Sequence, residues 1–440
     1  MITYPDAIHY IYGLRKYGIK LGLKNISYLL SLLDNPHLKT KVIHIGGTNG
    51  KGSTTAILSS ILQSSGYEVG IYTSPHLVYF QERIKINHKL IPKTEVCQLL
   101  ERIRPLITKV ATTEGYQHPT FFEVITAMAY LYFYENKIDF AIMEVGLGGR
   151  LDATNVCQPL LSIITHIDYD HMDRLGNTLS EIAAEKGAII KKETPVISAK
   201  QFKEARLVLQ SIAKANTSPF YLLEQDITYS VLRTGLNGND FHYQGIYKSF
   251  NNLHLPLIGK YQVENATLAI AATELLQQMH YSLTPKAIEK GLLKTEWAGR
   301  FEIINKNPFI ILDGAHNPNG VIAFVNSLTR FFPNQYIIAI LAIFSDKDFK
   351  NIIKSIVPFV NQVILTMANN PRATPVPILV RETTKYIDRS KIIKQNTIDS
   401  AIETAVRIAR PESVICITGS LYAVGEAKAY FLKQKDKKID

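Results

Sequence analysis

Residues 41–74 read KVIHIGGTNGKGSTTAILSSILQSSGYEVGIYTS. Two short apolar runs, KVIHIG (41–46) and EVGIYTS (68–74), flank STTAILSSILQSSG (53–66), whose apolar spacing is helical. Runs that are apolar on both faces belong to strands buried on both sides, and a helix between two of them makes a βαβ unit with parallel strands. The connection IGGTNGKGST (45–54) is glycine-rich and leads from the first strand into the helix, where backbone N–H groups and a helix N-terminus can face a phosphate. The common GxxxxGK[ST] pattern is not met. Gly46 to Gly50 is one residue short, and Gly52 separates Lys51 from Ser53. Lys51 among these glycines is predicted to sit on the β- and γ-phosphates of a nucleotide, the alternative being a tight turn without a ligand.

Working outward, FFEVITAMAYLYFYEN (121–136) reads as a helix, and DFAIMEVG (139–146) and LLSIITHI (160–167) as strands. This alternation predicts a doubly wound α/β sheet with its sites at the carboxyl ends of the strands. From 219 to 258 the pattern changes to short alternating segments around Asn237-Gly238, an antiparallel hairpin patch decorating the first domain. Helical patterns resume at 262–279 and 284–293, and EWAGRFEII (296–304) reads as a domain junction. A second alternation follows: NPFIILDGAHN, a helix near 319–331, YIIAILAIF, a helix near 348–357, NQVILT, a helix near 398–409, and SVICITGS. The expected architecture is an N-terminal phosphate-loop domain over 1–296 with a small antiparallel β patch, and a smaller Rossmann-like α/β domain over 297–440.

A chain of 440 residues exceeds the roughly 250–300 that one core supports, so two domains are expected on length alone. No run approaches the roughly 20 apolar residues that cross a bilayer, and MITYPDAIHYIYGLRKYGIK lacks the apolar block of a signal peptide. A soluble protein without a membrane partner is expected. Cys97, Cys157 and Cys416 show no CxxC spacing and predict free thiols in a reducing cytoplasm. The formal charge of +11 invites a nucleic-acid partner. Outside the tail KQKDKKID (433–440), however, the cations are spread without a basic helix or aromatic interleaving, and an anionic small substrate explains them as well.

The variant loop, in its form GTNGKGS (47–53), resembles that of the folylpolyglutamate synthase and dihydrofolate synthase branch of the Mur ligase superfamily. Further segments resemble the branch in the same order: LDNPHLK (33–39), YTSPHLV (72–78) with QERI (81–84), TFFE (120–123), EVGLGGRLDATNV (144–156), THIDYDHMDRLG (165–176), EKGAIIK (185–191), WAGRFE (297–302), LDGAHNP (312–318), DKD (346–348) and TGSLYAVGE (418–426). The chain departs from the branch at Gly46 (usually Ala), Ala298 (usually Pro), Pro119 (usually aliphatic), Asn87-His88 (usually Asn-Gly) and the reversed pair Gly187-Ala188.

The resemblance implies an ATP- and Mg²⁺-dependent ligase that joins L-glutamate to dihydropteroate and to reduced folates through an acyl phosphate. It implies two magnesium sites, a monomer, and no nucleic-acid partner. ATP is expected on Thr48, Asn49, Gly50, Lys51, Gly52 and Ser53, with Asn265, Arg300, Asp313 and His316 as further contacts, Tyr422 beside the adenine, and closure of the two domains on the nucleotide. Hard cations take oxygen ligands, so Ser74 and Glu144 at predicted strand ends are candidate metal ligands. His171 is the third by resemblance, with a hydrogen-bonding histidine as the alternative. Asp168 and Asp170 are read as caps or as partners of metal-bound water. Lys186 is expected as a carbamate, the alternative being a solvated helical lysine paired with a glutamate. The pterin is expected on Thr120, Phe121, Phe122, Glu123, Leu151, Asp152 and Ala153, although either phenylalanine could be plain core, and Arg83 is a candidate partner for a substrate carboxylate. For Asn265, Arg300 and Tyr422 the alternatives are a cap contact, a salt bridge and core packing. Two rivals stand beside this reading. A peptidoglycan Mur ligase would carry a UDP-binding domain before the loop, where about 45 residues stand here, too few for a domain of typical size. A nucleic-acid-stimulated ATPase would hydrolyse ATP without glutamate.

Overall fold

A computed structural model describes residues 2–18, 20 and 22–436, so parts of the N-terminal stretch and of the basic tail read above lie outside the described residues. Two compact units are present: residues 1–230, 242–253 and 264–295 in the first, and 231–241, 254–263 and 296–440 in the second.

The first unit is built on β1 (Val42–Gly46), β2 (Val69–Tyr72), β3 (Ile84–Ile86), β4 (Lys89–Leu90), β5 (Phe140–Glu144), β6 (Pro159–Ile164), β7 (Val196–Ser198) and β8 (Phe220–Leu222). Their order in one sheet is β4-β3-β2-β5-β1-β6-β7-β8. All pair in parallel except β3 and β4, which form an antiparallel edge. The strands expected from the sequence at 41–46, 68–74, 139–146 and 160–167 are β1, β2, β5 and β6. Central strands β1 and β5 are buried at every position, as their largely apolar runs suggest, with His44 and Glu144 as the polar exceptions. Register places the site. Ile45 pairs with Glu144 and Gly46 with Ile164, so the loop after β1 leaves the sheet between the ends of β5 and β6.

Helix Lys51–Ser64 buries Ile57, Leu58, Ile61 and Leu62, and helix Phe121–Glu135 is buried from Glu123 to Phe133. Each large apolar side chain removed from water in this way contributes about 1.5–3 kcal/mol. Helices Tyr4–Gly13, Lys24–Ser31 and Lys93–Thr112 pack into one core with helix Phe121–Glu135 and have no counterpart in the reading above. The patch expected over 219–258 is smaller than predicted. Its first segment is β8, a parallel edge strand, because Val196 to Ser198 of β7 offer it a free ladder. The antiparallel strands are β9 (Thr228–Gly235), β10 (Gly238–Gln244) and β11 (Ser249–Leu255), with Gly238 at φ 111° after the turn.

The second unit holds β12 (Glu302–Lys306), β13 (Phe309–Leu312), β14 (Ile337–Leu341), β15 (Gln362–Leu365), β16 (Ile392–Lys394) and β17 (Val414–Thr418), ordered β12-β13-β17-β14-β15-β16. β12 is the antiparallel edge and the rest are parallel. Helices Pro318–Phe331, Phe349–Ile356 and Ile398–Ile408 occupy the expected places. Helix Val376–Thr383 and β16 are too short and, for the helix, too proline-marked to announce themselves. Among the described residues no helix is long and apolar enough to cross a membrane.

Candidate active site

The phosphate loop is held from below by strand β6 and its continuation. Thr48 and Asn49 donate their backbone N–H groups to the His166 carbonyl at 2.9 and 3.2 Å, and the Thr48 hydroxyl bonds with the backbone of Asp168. The helix then starts at Lys51 from an N-cap, Gly50, that has no side chain to close the first turn. The first-turn N–H groups of a helix point out of its N-terminal end, here into the loop that precedes Lys51, the arrangement that favours an anion. Gly50 stands at φ 95°, and a Cβ there would lie 2.3 Å from Asn265 Oδ1, so Asn265 is seated on the loop. Lys51 Nζ donates to the carbonyls of Gly47 and Thr48, both at 3.1 Å.

Lys186 converges on the same loop from a different element. It is buried near the end of helix Leu179–Gly187, and its Nζ donates to the Gly47 carbonyl at 3.0 Å. The bland reading of a solvated lysine is thereby excluded. The segment EVGLGGRLDATN packs on this helix end. A Cβ at Gly149 would lie 2.6 Å from the Glu185 carbonyl and 2.9 Å from that of Lys186, while Arg150 N bonds to the Glu185 carbonyl at 2.8 Å. The reversed Gly187-Ala188 pair also has a packing basis, since a Cβ at 187 would lie 2.8 Å from both Leu209 and Ile212 of helix Lys203–Ala215.

Ser74 and Glu144 follow from the pairing of β2 with β5. The Ser74 N–H donates to Glu144 Oε2 at 3.2 Å, and Glu144 is buried. A hydroxyl and a carboxylate at neighbouring strand ends form a hard oxygen donor set that fits magnesium. His171 stands in the left-handed region (φ 51°, ψ 41°) as the residue before a short helix, its Nε2 3.9 Å from Asp170 Oδ2. Among the described residues no three His, Cys, Asp or Glu side chains gather into a metal cluster by themselves. Asp168 and Asp170 each accept from the N–H of the next residue, Tyr169 at 2.8 Å and His171 at 2.9 Å, and neither caps the helix Met172–Leu175, whose N-cap His171 has no side-chain cap bond.

The residues expected around a pterin divide by role. Thr120 and Glu123 form a capping box: Glu123 Oε2 accepts from the Thr120 N–H at 2.7 Å and its hydroxyl at 2.9 Å, and Glu123 N donates back to the hydroxyl at 3.3 Å. Phe122 packs inward, and a Cβ at Gly146 would lie 2.4 Å from its ring. Phe121 instead meets Tyr12, with ring centroids 6.0 Å apart, and carries the guanidinium groups of Arg15 at 5.1 Å and Arg83 at 5.3 Å. Arg83 Nε donates to His76 Nδ1 at 2.7 Å, so the neutral imidazole holds its proton on Nε2, 3.2 Å from the Tyr12 hydroxyl. Burial, with Arg83 and Arg15 adding to it, pushes His76 down to about 3.

Asp152 and Ala153 are buried, and Leu151 is half-buried. Both Asp152 oxygens are filled from within: Oδ1 accepts from the Thr154 N–H at 3.0 Å and hydroxyl at 2.5 Å, and Oδ2 from the N–H groups of Gly146 at 3.1 Å and Leu147 at 2.9 Å. Burial raises its carboxyl above the ordinary value, and these donors oppose the rise. With the hydroxyl proton given to Asp152, His44 Nε2 must donate to Thr154 Oγ1 at 2.9 Å, leaving Nδ1 to accept from Cys157, whose Sγ lies at 3.8 Å. The sequence reading missed His44, Thr154 and Cys157. The available signal was a histidine inside the otherwise apolar run of β1, a position that demands partners.

In the second unit Asp313 follows β13. Its carboxylate accepts from Phe301 N at 2.8 Å and Ala315 N at 2.9 Å, and burial raises it against the nearby Arg300 cation. Arg300 Nη1 donates to the Gly299 carbonyl at 3.0 Å, and His316 Nδ1 to that of Gly314 at 2.8 Å. Tyr422 meets the Phe344 ring with centroids 5.3 Å apart. A cavity of about 490 Å³ lined by Lys248, His280 and Pro285 among others includes none of the candidate residues.

Comparison with known proteins supplies the family and the fold. Residues 93–273 match the Mur ligase middle domain, and residues 299–421 the Mur ligase glutamate ligase domain. The dihydrofolate synthase/folylpolyglutamate synthase of Bacillus subtilis (strain 168) is 36% identical over 428 residues, 97% of this chain and 98% of that one. The folylpolyglutamate synthase of Mycobacterium tuberculosis, solved with ADP, superposes with a TM-score of 0.91 at 29% identity, covering 97% of this chain and 99% of that one. E. coli FolC, solved with DHPP and ADP, superposes with a TM-score of 0.89 at 26% identity over 99% of both chains. The chain belongs to the dihydrofolate synthase/folylpolyglutamate synthase family of the Mur ligases.

Proposed function

We propose that this chain is an ATP-dependent carboxylate–amine ligase that joins L-glutamate to dihydropteroate and extends the glutamate tail of reduced folates. The observation that carries the reading is the convergence of Lys51 and Lys186 on the Gly47 carbonyl, beside the Ser74–Glu144 pair, at the carboxyl ends of β1, β2 and β5. In the reaction, an oxygen of the substrate carboxylate attacks the γ-phosphorus of ATP, the bond to the β,γ-bridging oxygen breaks, and ADP leaves. The acyl phosphate is opened by the amine of glutamate through a tetrahedral intermediate, which expels phosphate and yields the amide.

The chain's own part is positioning and electrostatics. The first-turn N–H groups of Lys51, Gly52 and Ser53 bind phosphate oxygens, and the Lys51 ammonium offsets charge on the transferring phosphoryl group. Ser74, Glu144 and His171 would hold a magnesium ion, which when bound polarises phosphoryl oxygens. Lys186 is assigned as a carbamate. Carbamylation leaves one N–H on the nitrogen, which can keep the bond to the Gly47 carbonyl while two oxygens and a negative charge replace the ammonium. Asn265, Arg300, Asp313 and His316 are proposed nucleotide contacts, and Phe121, Phe122, Leu151 and Ala153 the apolar wall for a pterin. The division into domains 1–296 and 297–440 belongs to the same proposal, as do a monomeric state and a reducing cytoplasm, which the three buried free cysteines fit.

The test is direct. Purified protein with Mg·ATP and labelled glutamate is offered dihydropteroate and, separately, tetrahydrofolate, and glutamate-bearing products are separated by mass. ATP hydrolysis that ignores glutamate, or that rises with added polynucleotide, would overturn the ligase reading.

A further inference from the structure

Between Asp6 and Asp34 the chain carries no Asp or Glu, but it carries Arg15, Lys16, Lys20 and Lys24. All four are exposed. The sequence reading found no aromatic interleaving among the cations; the fold supplies it. The Arg15 guanidinium lies 4.3 Å from the Tyr12 ring centroid and 5.1 Å from that of Phe121. Lys16 and Lys20 lie 5.1 and 5.9 Å from the Tyr17 ring, which itself stacks on His118 with centroids 3.7 Å apart. Lys24 lies over Tyr116 at 4.7 Å and donates to the Gly115 carbonyl at 2.7 Å. Lys20 is also near enough to Glu123 to counter the effect of burial on that carboxyl.

These cations are thus laid along the approach to helix Phe121–Glu135, whose first residue already carries the buried Arg83 on its ring. A cation resting on a ring loses little further freedom when it binds an anion. Neutral side chains could cover Tyr17 and Phe121 equally well, so packing does not account for a repeated positive charge. Cations held close together repel one another, and a polyanion relieves that repulsion. In the ligase reading the product of each turnover is such a polyanion, because every γ-linked glutamate adds one carboxylate to the folate.

We propose that Arg15, Lys16 and Lys20 form an electrostatic track for the γ-linked glutamate tail of the folate substrate. The proposal rests on the ligase reading and adds a chain-length preference to it. The expected behaviour is a KM that falls as the tail grows from one to three to five glutamates, more steeply at low salt than at high salt, because exposed charges are screened.

The experiment measures KM for tetrahydrofolate carrying one, three and five γ-linked glutamates, in wild type and in Arg15→Gln, Lys16→Gln and Lys20→Gln, singly and combined. Each removed cation should raise the KM of the pentaglutamate relative to the monoglutamate by about 1.5- to 5-fold, the range of an exposed ion pair. Restoring charge with Arg15→Lys should recover part of the ratio, which a purely structural role of Arg15 would not give. If the monoglutamate is extended but the KM ratio is the same in wild type and the triple variant, the track is refuted and the ligase reading stands. If no folate or dihydropteroate gains glutamate, the ligase reading fails and takes the track with it.

Discussion

Lys186 Nζ lies 3.0 Å from the Gly47 carbonyl oxygen, which also accepts a bond from Lys51 Nζ at 3.1 Å. Two lysines on one loop carbonyl is an unfavourable pairing if both are ammonium ions, and a carbamate on Lys186 removes the repulsion. Lys186→Ala is expected to lower kcat by roughly 10- to 100-fold, the effect typical of losing support at a metal site. Acetate or formate should restore part of the rate by standing in for the missing oxygens. Full activity in the variant would end the assignment, and so would a native mass and high-resolution density showing an unmodified amine at ample bicarbonate.

Lys51 Nζ donates to the loop carbonyls of Gly47 and Thr48, and a glycine loop tolerates truncation on its open side, so its removal should spare the fold. Lys51→Ala is expected to cut turnover by roughly 100- to 1000-fold, the magnitude of losing one fixed electrostatic donor. Circular dichroism and melting should stay close to wild type while ligation is lost. Near-normal turnover would place the phosphates elsewhere.

Glu144 supplies charge and Ser74 a neutral hydroxyl, so the two should differ in their effect on magnesium. Glu144→Gln is expected to raise the magnesium concentration for half-maximal rate by roughly tenfold or more. Ser74→Ala should raise it less. Equal, small shifts in a magnesium titration would mean that the ion is held by other groups.

The Asp152 carboxylate is held by Thr154, which is held in turn by His44. Thr154→Val keeps the shape of the side chain but leaves both neighbours short of a partner, a loss of about 1.5–3 kcal/mol for a bond to a charged group. Asp152→Ala and Thr154→Val should both damage use of dihydropteroate more than extension of tetrahydrofolate, and Thr154→Ser should restore much of it. A wild-type enzyme that never glutamylates dihydropteroate would refute the bifunctional reading outright.

His44 is pushed down to about 3 by burial, with Lys191 adding to the effect, and its other neighbours are Thr154, Cys157 and, through Thr154, Asp152. The folded protein keeps it neutral, whereas the unfolded chain protonates it below about 6.5. Between those values the unfolded state binds the extra proton, so stability rises with pH and is lost as pH falls from about 6.5 toward 3. One such group contributes up to about 1.4 kcal/mol per pH unit in that window. Denaturant midpoints at pH 7.5 and 5 should fall less steeply in His44→Gln than in wild type. The buried carboxyls have the opposite sign but are common to both proteins, so the difference isolates His44. Parallel slopes would show that His44 is solvated.

The local runs of this sequence carried the architecture. Short apolar stretches such as KVIHIG and DFAIMEVG fit strands buried on both faces, and the helices between them favour parallel pairing, so β1, β5 and the loop at Gly46–Ser53 were legible in advance. The strand before Asp313 was legible in NPFIIL in the same way, whereas a nucleotide role for Asp313 came from the resemblance and is a proposal. What the sequence left open was every relationship fixed by packing across long separations. Nothing local says that Lys186 folds back onto Gly47 or that Gly149 lets that helix end approach. Arg15 and Phe121 illustrate the reason: they are 106 positions apart in the numbering, and their contact depends on how the N-terminal helices bury their apolar faces against helix Phe121–Glu135. Side-chain patterning specifies which face is buried, but only the assembled core decides which partner it meets.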